Sequence, residues 1–177
     1  MPNPLAWKLN EAAMAEYHVA YLNLGSNIQA ETNLPRALNR LLAYGEVQKV
    51  SNVWESKAVG ATGPNFLNVC ARFRSTFSKA DLKEQVIHHV ETELGRIRSA
   101  NKYASRTIDI DIVIFDDEFI NPDSWKLAYI VVPLAEVYPE YRNPKTGETV
   151  GDIAARLHQE VWLEMRPVVL GQLSRGR

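Results

Sequence analysis

The chain has 177 residues, with 20 Lys and Arg against 21 Asp and Glu, so its formal net charge is −1. This length corresponds to one domain, and 46% hydrophobic with 23% charged residues is typical of a folded, soluble protein. The balanced charge argues against an extended nucleic-acid surface. The sequence also has no run of about 18 apolar residues that could span a membrane.

The chain contains a single cysteine, Cys70, so neither an intrachain disulfide nor a cysteine zinc cluster can form. Cys70 lies in an apolar run, which favours a buried, inert thiol over a nucleophile. The first 16 residues lack the apolar run of a signal peptide. We therefore expect a cytoplasmic protein.

The first part of the chain predicts a strand, a helix and a second strand. Residues 18–24 are rich in strand formers and end at the turn residues 25–27. Thr32 is expected to cap a helix whose leucines follow helical spacing up to Gly45, a residue type common at helix ends. Residues 46–55 then predict a strand with imperfect alternation.

A cleaner strand pattern follows at residues 66–77. One of its faces is expected to carry Leu67, Val69, Ala71 and Phe73, and the other Phe66, Asn68, Cys70 and Arg72. Ser78 and Asp81 resemble a capping box, and the apolar stripe after them predicts a helix that ends at Gly95.

The rest of the chain completes a known element order. A polar, basic loop at 96–107 precedes the strongest strand signal, IDIDIVIF at 108–115, and an apolar YIVVPL segment and a short helix at 150–158 follow. The order β-α-β-β-α-β is that of a ferredoxin-like α+β sandwich. It predicts an antiparallel sheet with both helices on one face, the other face open for a ligand or a partner, and N- and C-terminal additions.

We expect three parts in the chain: an N-terminal arm or helix at 1–17, a folded domain at 18–158 and a C-terminal tail at 159–177. The tail carries apolar residues, which favour either a dimer contact or packing back onto the sheet. The protein is accordingly expected to be a monomer or a weak homodimer.

Asp109 and Asp111 are the first chemical signal. Residues i and i+2 of a strand point to the same face, so the two carboxylates lie side by side and need a cation or strong donors. Such hard oxygen ligands suit Mg²⁺. Alternatively, they are solvated acids on an edge strand. The opposite face is expected to carry Ile108, Ile110, Ile112 and Ile114 in the core.

Four cations lie directly upstream of this pair: Arg96, Arg98, Lys102 and Arg106. Guanidinium groups bind phosphate oxygens through two parallel hydrogen bonds. Carboxylates that bind Mg²⁺, placed beside several cations, are the parts used in phosphoryl transfer. A solvated basic loop is the alternative interpretation.

Phe66 and Asn68 add a possible ring-binding site. An aromatic ring can stack on a flat heterocycle, and an amide can both donate to and accept from its edge. Taken by themselves, both are ordinary sheet-surface residues. The histidines lack the spacing of metal ligands, so a histidine-bound metal is not expected.

Several segments together resemble the 6-hydroxymethyl-7,8-dihydropterin pyrophosphokinases of folate biosynthesis. These segments are AYLNLGSN at 20–27, GPNFLN at 63–68, ETELGRIR at 91–98, SRTIDIDI at 105–112 and PLAEVYPE at 133–140. The resemblance covers about residues 18–158 and implies the same α+β sandwich. It also implies transfer of the terminal diphosphate of ATP to a pterin alcohol, which gives AMP and the pterin diphosphate.

The resemblance implies a role for individual residues. Asp109 and Asp111 match aspartates that bind two Mg²⁺ ions, with ATP as co-substrate. The expected catalytic residues are Arg96 and Arg106. The expected nucleotide-binding residues are Glu91, Arg98, Lys102, Ile112 and Lys126. The expected pterin-binding residues are Ser56, Val59, Phe66, Asn68, Tyr103 and Tyr129.

The chain departs from the family pattern in three places. The residues 102–107 read KYASRT where the family usually has RWGPRT, so Lys102 keeps the charge without the guanidinium fork and Tyr103 still offers a ring. The residues 56–58 read Ser-Lys-Ala where the family commonly has Thr-Pro-Pro. The segment 121–133, NPDSWKLAYIVVP, is shortened and lacks the histidine that normally meets the ATP phosphates. Within it, Lys126 is the possible substitute for an arginine, and Tyr129 replaces a stacking phenylalanine.

The sequence therefore predicts an ATP- and Mg²⁺-dependent pyrophosphokinase whose partners are ATP and the reduced pterin alcohol, with no nucleic-acid or membrane partner. The shortened segment keeps a non-catalytic pterin- or nucleotide-binding relative, with a regulatory or scaffolding role, open as an alternative. Drift in the acceptor loop keeps open a related transferase with a different acceptor alcohol.

Overall fold

The computed structural model describes residues 15–60 and 62–171. The strands are β1 (His18–Ser26), β2 (Glu46–Val50), β3 (Val53–Ser56), β4 (Phe66–Ser75), β5 (Asp109–Phe115), β6 (Glu118–Phe119) and β7 (Leu163–Arg166). The helices are α1 (Ala30–Leu41), α2 (79–93), α3 (Ala128–Val137) and α4 (Val150–Glu160), with a 3-10 helix at Pro122–Lys126. α2 is a continuous helical run made of Lys79–Asp81, a π-helical part at Leu82–Ile87, and His88–Glu93.

The strands form one antiparallel sheet in the order β6-β5-β1-β4-β3-β7, and β2 also pairs with β4. The predicted α+β fold class is confirmed. The strand expected at 46–55 is interrupted at Ser51, whose side chain accepts a hydrogen bond of 2.9 Å from the backbone amide of Cys70. The interruption separates β2 from β3, and both pair with the long strand β4.

Two helix boundaries differ from the predictions. α1 begins at Ala30, because the amides of Thr32 and Asn33 already donate to the carbonyl of Gln29, so Thr32 is not the cap. α1 also ends before Gly45, where a Cβ atom would lie 2.5 Å from the carbonyl oxygen of Arg74. Glycine at this position therefore permits a close approach to β4 rather than closing the helix.

The capping of α2 agrees with its predicted limits. Ser78 is extended, and its side chain accepts from the amide of Asp81 at 3.2 Å. Gly95 has φ +78 after the last turn, which is the left-handed conformation that glycine adopts easily.

The sheet separates two apolar clusters. On the first face, β1 and β4 residues such as Leu22 and Phe73 pack against α1 and α2. The second face packs against α3 and α4 and includes Tyr21, Trp54 and Cys70. The alternation predicted for β4 is therefore confirmed, with Phe73 and Cys70 on opposite faces.

The second face is not open along its whole length, contrary to the expectation of a free face. α3 is apolar apart from Glu136, which is typical of a buried helix, and it lies in the same cluster as the buried residues of α4. These two helices follow the β-α-β-β-α-β unit and cover part of the face that the unit leaves bare.

A register shift changes the outcome for β5. The pairing of β1 with β5 shifts between Tyr21 and Leu22, which pair with Ile114 and Ile112. Ile108 and Ile110 therefore pack in the first cluster as predicted, whereas Ile114 lies in the second. Val113 and Ile114 are successive residues that both lie in the second cluster, which is typical of a β-bulge. An alternating pattern does not predict such a bulge.

β7 lies within the segment expected to be a C-terminal tail. It pairs with β3, and Leu163 is buried in the second cluster, so this part of the segment packs on the sheet. Residues 1–14 of the expected N-terminal arm lie outside the described residues. None of the helices in the described ranges is long and apolar enough to cross a membrane.

Candidate active site

A cavity of about 230 Å³ opens on the second face of the sheet, beside the N-terminal end of α3. It brings together most of the predicted site residues, since its walls include Ser56, Val59, Phe66, Asn68, Lys102, Tyr103, Arg106, Asp109, Asp111 and Tyr129. Asn23, Gly25 and Lys57 complete the lining. The strands β1, β3, β4 and β5 and the loops before β4 and β5 thus contribute to one site.

Asp109 and Asp111 lie on the same face of β5, opposite Gly25 and Asn23 of β1. Both carboxylate oxygens of Asp109 are paired with guanidinium groups: Arg96 at 3.3 Å and Arg106 in a shorter contact. Burial first, and then the charges of Asp109 and Glu91, raise the pKa of Asp111 to about 6 against the opposing effect of Arg106 and Arg96. The Asp111 carboxylate is therefore less well stabilised by its surroundings than that of Asp109, which is paired with two guanidinium groups.

This donor set fits a hard divalent cation. Mg²⁺ is usually held by one or two carboxylates and completes its octahedron with water and substrate phosphates. The described residues contain no group of three or more His, Cys, Asp and Glu side chains placed to hold a metal. Asp109 and Asp111 would therefore hold the ion as a pair and leave its other coordination positions to water and substrate.

The arginines of the loop 96–107 are held in different ways. The Arg96 side chain is 13% exposed, and its Nε atom is buried without a hydrogen-bond partner among the described residues. Arg98 is 65% exposed and donates to Glu91 at 2.9 Å. Arg106 donates to Asp109 and to the Lys102 carbonyl. A buried, partly unpaired guanidinium group beside a carboxylate is suited to binding an anionic substrate.

Glu91 is buried at the end of α2, and its side chain connects α2 to β5 and to the loop at 96–107. Its Oε1 accepts from the backbone amide of Ile110 at 3.0 Å, and its Oε2 accepts from Arg98. The side chain of Glu91 thus fixes the start of β5, which carries the two aspartates.

Asn68 and Phe66 occupy the opposite wall of the cavity. The Asn68 amide is 2% exposed and donates to Ser56 Oγ at 2.9 Å and to the Trp54 carbonyl at 3.3 Å, which fixes its orientation. A Cβ atom at Gly25 would lie 3.2 Å from Asn68 Oδ1 and 3.8 Å from the Phe66 ring. Glycine here leaves a flat floor between the amide and the carboxylates of β5.

The two loops around the cavity meet at Tyr103 and Gly60. Gly60 has φ +73, and a Cβ atom there would lie 2.7 Å from the Tyr103 ring. The Lys102 ammonium lies 4.9 Å from the centre of the same ring. Tyr103 is 42% exposed and forms part of the wall where one loop meets the other.

Some predicted residues lie outside the cavity lining. Arg96 and Arg98 line an adjoining depression of about 120 Å³ together with Lys102 and Arg106. The Ile112 side chain packs against the first cluster, on the far side of the sheet. Lys126 is exposed at the end of the 3-10 helix and is not part of the described lining.

Asn27, in the turn after β1, is a site residue to which the sequence pattern assigns no role. It is 7% exposed; its Oδ1 accepts from the Arg106 amide at 2.7 Å, and its Nδ2 donates to Ser105 Oγ and the Pro64 carbonyl, each at 3.2 Å. It therefore ties together the two loops that border the cavity. A polar residue that directly follows a strand and a Gly-Ser turn is the available sequence signal, and it is weak.

The fold and the site define a class: an α+β protein whose paired carboxylates and guanidinium groups face a cavity with aromatic and amide walls. Residues 21–139 match the sequence profile of the 7,8-dihydro-6-hydroxymethylpterin-pyrophosphokinase (HPPK) family. The chain belongs to this family.

Curated relatives agree. The chain is 31% identical over 144 residues to the 2-amino-4-hydroxy-6-hydroxymethyldihydropteridine pyrophosphokinase of Synechocystis, covering 75% of this chain and 73% of that protein. It is 34% identical over 134 residues to the protein of the same name from Aquifex aeolicus, covering 70% and 82%.

Among solved structures, wild-type HPPK-DHPS of Plasmodium falciparum is similar in fold, with a TM-score of 0.60 at 13% identity. The similarity covers 82% of this chain and 46% of the Plasmodium chain, so the present chain spans less than half of that protein. The likeness concerns the architecture of the sheet and its helices.

Proposed function

We propose that the protein transfers the terminal diphosphate of ATP to 6-hydroxymethyl-7,8-dihydropterin in folate biosynthesis, in the cytosol. One observation carries the proposal: a single cavity joins a carboxylate pair, Asp109 and Asp111, to a ring-sized wall formed by Phe66 and Asn68. The first end suits Mg²⁺ and phosphates, and the second suits a flat heterocycle with donors and acceptors on its edge. Membership of the family supports the same reaction.

In this proposal, Asp109 and Asp111 hold Mg²⁺, with two ions expected. When bound, the metal neutralises phosphate charge and orients the diphosphate for displacement. Arg96 and Arg106, which are paired with Asp109 in the ligand-free protein, then contact the transferred phosphates. Arg98, Lys102, Lys126 and Glu91 contribute side chains to the nucleotide site, and Ile112, whose side chain packs in the first cluster, contributes its backbone.

The pterin occupies the other end of the cavity. Phe66 and Tyr129 face its ring, and Tyr103 covers the opening between the loops. Asn68 reads the edge of the ring, because its amide is already oriented by Ser56 and Trp54. Ser56 and Val59 complete the acceptor site.

The reaction is an in-line displacement. The oxygen of the pterin hydroxyl forms a bond to the β-phosphorus of ATP as the bond from that phosphorus to the α,β-bridging oxygen breaks. AMP leaves with the bridging oxygen, and the hydroxyl proton is released. Positioning and charge neutralisation supply most of the catalysis in such reactions.

The decisive test is an AMP-release assay with ATP, Mg²⁺ and the reduced pterin alcohol, with the product identified by mass. The wild-type protein should give AMP and the pterin diphosphate, and the Asp109→Ala/Asp111→Ala variant should lose activity by about 10³-fold or more. Asp123→Asn, which changes an exposed carboxylate on the 3-10 helix, is the matched control and should leave the rate unchanged.

A wild-type protein that binds the pterin but releases no AMP would contradict the proposal and favour a non-catalytic binding protein. AMP release that depends on another acceptor alcohol would instead indicate a related transferase. Lys126→Ala sharpens the result: a drop in kcat at unchanged pterin affinity would assign this lysine to the nucleotide side.

A further inference from the structure

Asn23 is a polar residue of the cavity wall that has no part in the function proposed above. It lies on β1, where it pairs with Cys70 of β4 on one side and with Asp111 of β5 on the other. It is 5% exposed, and its Oδ1 atom is buried without a hydrogen-bond partner among the described residues. The neighbours of Asn23 in the strand, Leu22 and Leu24, are fully buried in the first cluster.

A buried amide oxygen without a partner is unfavourable for the fold. Burying a polar group without a hydrogen bond is destabilising, so nearly all such groups in folded proteins have a partner. Asn68, the other amide of the cavity, follows this rule because its Nδ2 bonds to Ser56 and Trp54. Asn23 therefore has an unused hydrogen-bonding capacity that faces a substrate cavity.

β1, the strand that carries Asn23, lies between β4 with Asn68 and β5 with the two aspartates. Across the sheet, one row of residues runs from Asn68 through Gly25 to Asp109, and the next row places Asn23 beside Asp111. In the function proposed above, a pterin ring held at Asn68 reaches the aspartates across the Gly25 floor. The acceptor hydroxyl must then lie over β1, between the ring and the metal-held phosphates, and Asn23 is the residue of β1 that lies beside Asp111.

We propose that the Asn23 side chain binds the hydroxyl group of the acceptor alcohol and selects substrates that carry it. This inference rests on the function proposed above. The amide oxygen accepts a hydrogen bond from the hydroxyl, which points a lone pair of the hydroxyl oxygen toward the β-phosphorus. An amide neither gains nor loses a proton near neutral pH, so Asn23 orients the nucleophile and does not deprotonate it.

The test compares two ligands that differ only in this hydroxyl: 6-hydroxymethyl-7,8-dihydropterin and 6-methyl-7,8-dihydropterin. Affinities are measured by calorimetry in the presence of Mg²⁺ and the α,β-methylene analogue of ATP, which blocks transfer. The wild-type protein should bind the hydroxylated ligand about 10-fold more tightly, the range of one good hydrogen bond. Asn23→Ala should bring the two affinities within about 2-fold of each other.

Two controls separate this role from a structural one. Asn68→Ala should weaken both ligands by the same factor, since that amide meets the ring edge. The Tm of Asn23→Ala should equal or exceed that of the wild type, because the change removes a buried, unpaired polar atom.

An Asn23→Ala protein that keeps the wild-type ratio of affinities would overturn the inference while the proposed function stands. A wild-type protein with equal affinity for both ligands would overturn it as well. A wild-type protein that binds neither ligand would contradict the proposed function itself, and the inference with it.

Discussion

The two faces of the sheet have different roles, one in the apolar core and the other in the candidate active site. The first face is covered by α1 and α2, and the residues of β1, β4 and β5 beneath them form an apolar cluster with many fully buried side chains. The second face is covered only in part by α3 and α4. Beside the start of α3, it presents Asn23, Asn68, Asp109 and Asp111 to the cavity.

The contrast teaches how one set of strands supports both stability and chemistry. Because side chains alternate along a strand, each of β1, β4 and β5 contributes one set of residues to the core and another to the site. Stability should therefore depend mainly on the first face and substrate affinity on the open part of the second. The experiments below test that division, beginning with the largest expected effect.

Phe73→Ala should produce the largest loss of stability. Phe73 is fully buried on the first face, and removing such a ring leaves a cavity that costs about 3–5 kcal/mol. Urea unfolding measures the change as a lower midpoint at unchanged slope. A loss below about 1 kcal/mol would show that the first face is not the main source of stability.

Asn27→Ala should affect both stability and activity, since this residue joins the two loops at the boundary of the faces. It would remove three partly buried hydrogen bonds, to Arg106, Ser105 and Pro64, for a loss of about 2–3 kcal/mol. Thermal unfolding and kcat/KM for the pterin are the measurements. Asn65→Ala, which removes one exposed hydrogen bond to Glu55, is the control and should change stability by about 0.5 kcal/mol or less.

Phe66→Ala is the counterpart of Phe73→Ala on the same strand. Phe66 is only partly buried and lines the cavity, so the free energy of unfolding should change by about 1 kcal/mol or less. The KM for the pterin should rise about 10-fold, because stacked aromatic contacts contribute about 0.5–1.5 kcal/mol beyond their buried area. A variant that unfolds as readily as Phe73→Ala would erase the distinction between the faces.

The smallest effect is expected at the far end of the sheet, where Asp116 bonds to His18 and to the Val19 amide. Burial acts to raise the pKa of Asp116, but these hydrogen bonds and the charge of His18 outweigh it, so the pKa is lowered. A lowered pKa adds stability above the unfolded value, and this contribution is lost as the pH falls through the folded pKa.

Asp116→Asn should accordingly lower stability by only about 0.5 kcal/mol at pH 7, since the pair is largely exposed. Asparagine tolerates the positive φ of 45 at this position, so the backbone is not a confounding factor. The difference from the wild type should shrink below about pH 4. Urea unfolding at a series of pH values tests this trend, and a constant difference would contradict it.

Sequence reasoning succeeds where a single period decides the outcome. The alternation in β4 separates Phe73 from Asn68, and the spacing of Asp109 and Asp111 puts both carboxylates in one cavity. The helix caps at Ser78 and Gly95 follow from local chemistry. These features depend only on residues that are close together in the sequence, within one strand or at one helix end.

Features that depend on distant partners are not predictable in this way. The YIVVPL segment is apolar throughout, and periodicity by itself does not distinguish a buried strand from a buried helix. Its helical form, together with α4, covers a face that was expected to be open. The bulge that moves Ile114 arises from the pairing with β1, and the unpaired amide oxygen of Asn23 becomes evident only once β5 lies beside it.

The single thiol of the chain has a practical consequence. Cys70 is 1% exposed, packs in the second cluster with residues of α3 and α4, and burial raises its pKa. An alkylating reagent can therefore reach it only when these helices separate from the sheet or the whole domain unfolds. Cys70 is thus a built-in reporter of local opening. The rate at which its sulfur is labelled, with and without substrates, would measure how often α3 and α4 separate from the sheet beside the cavity.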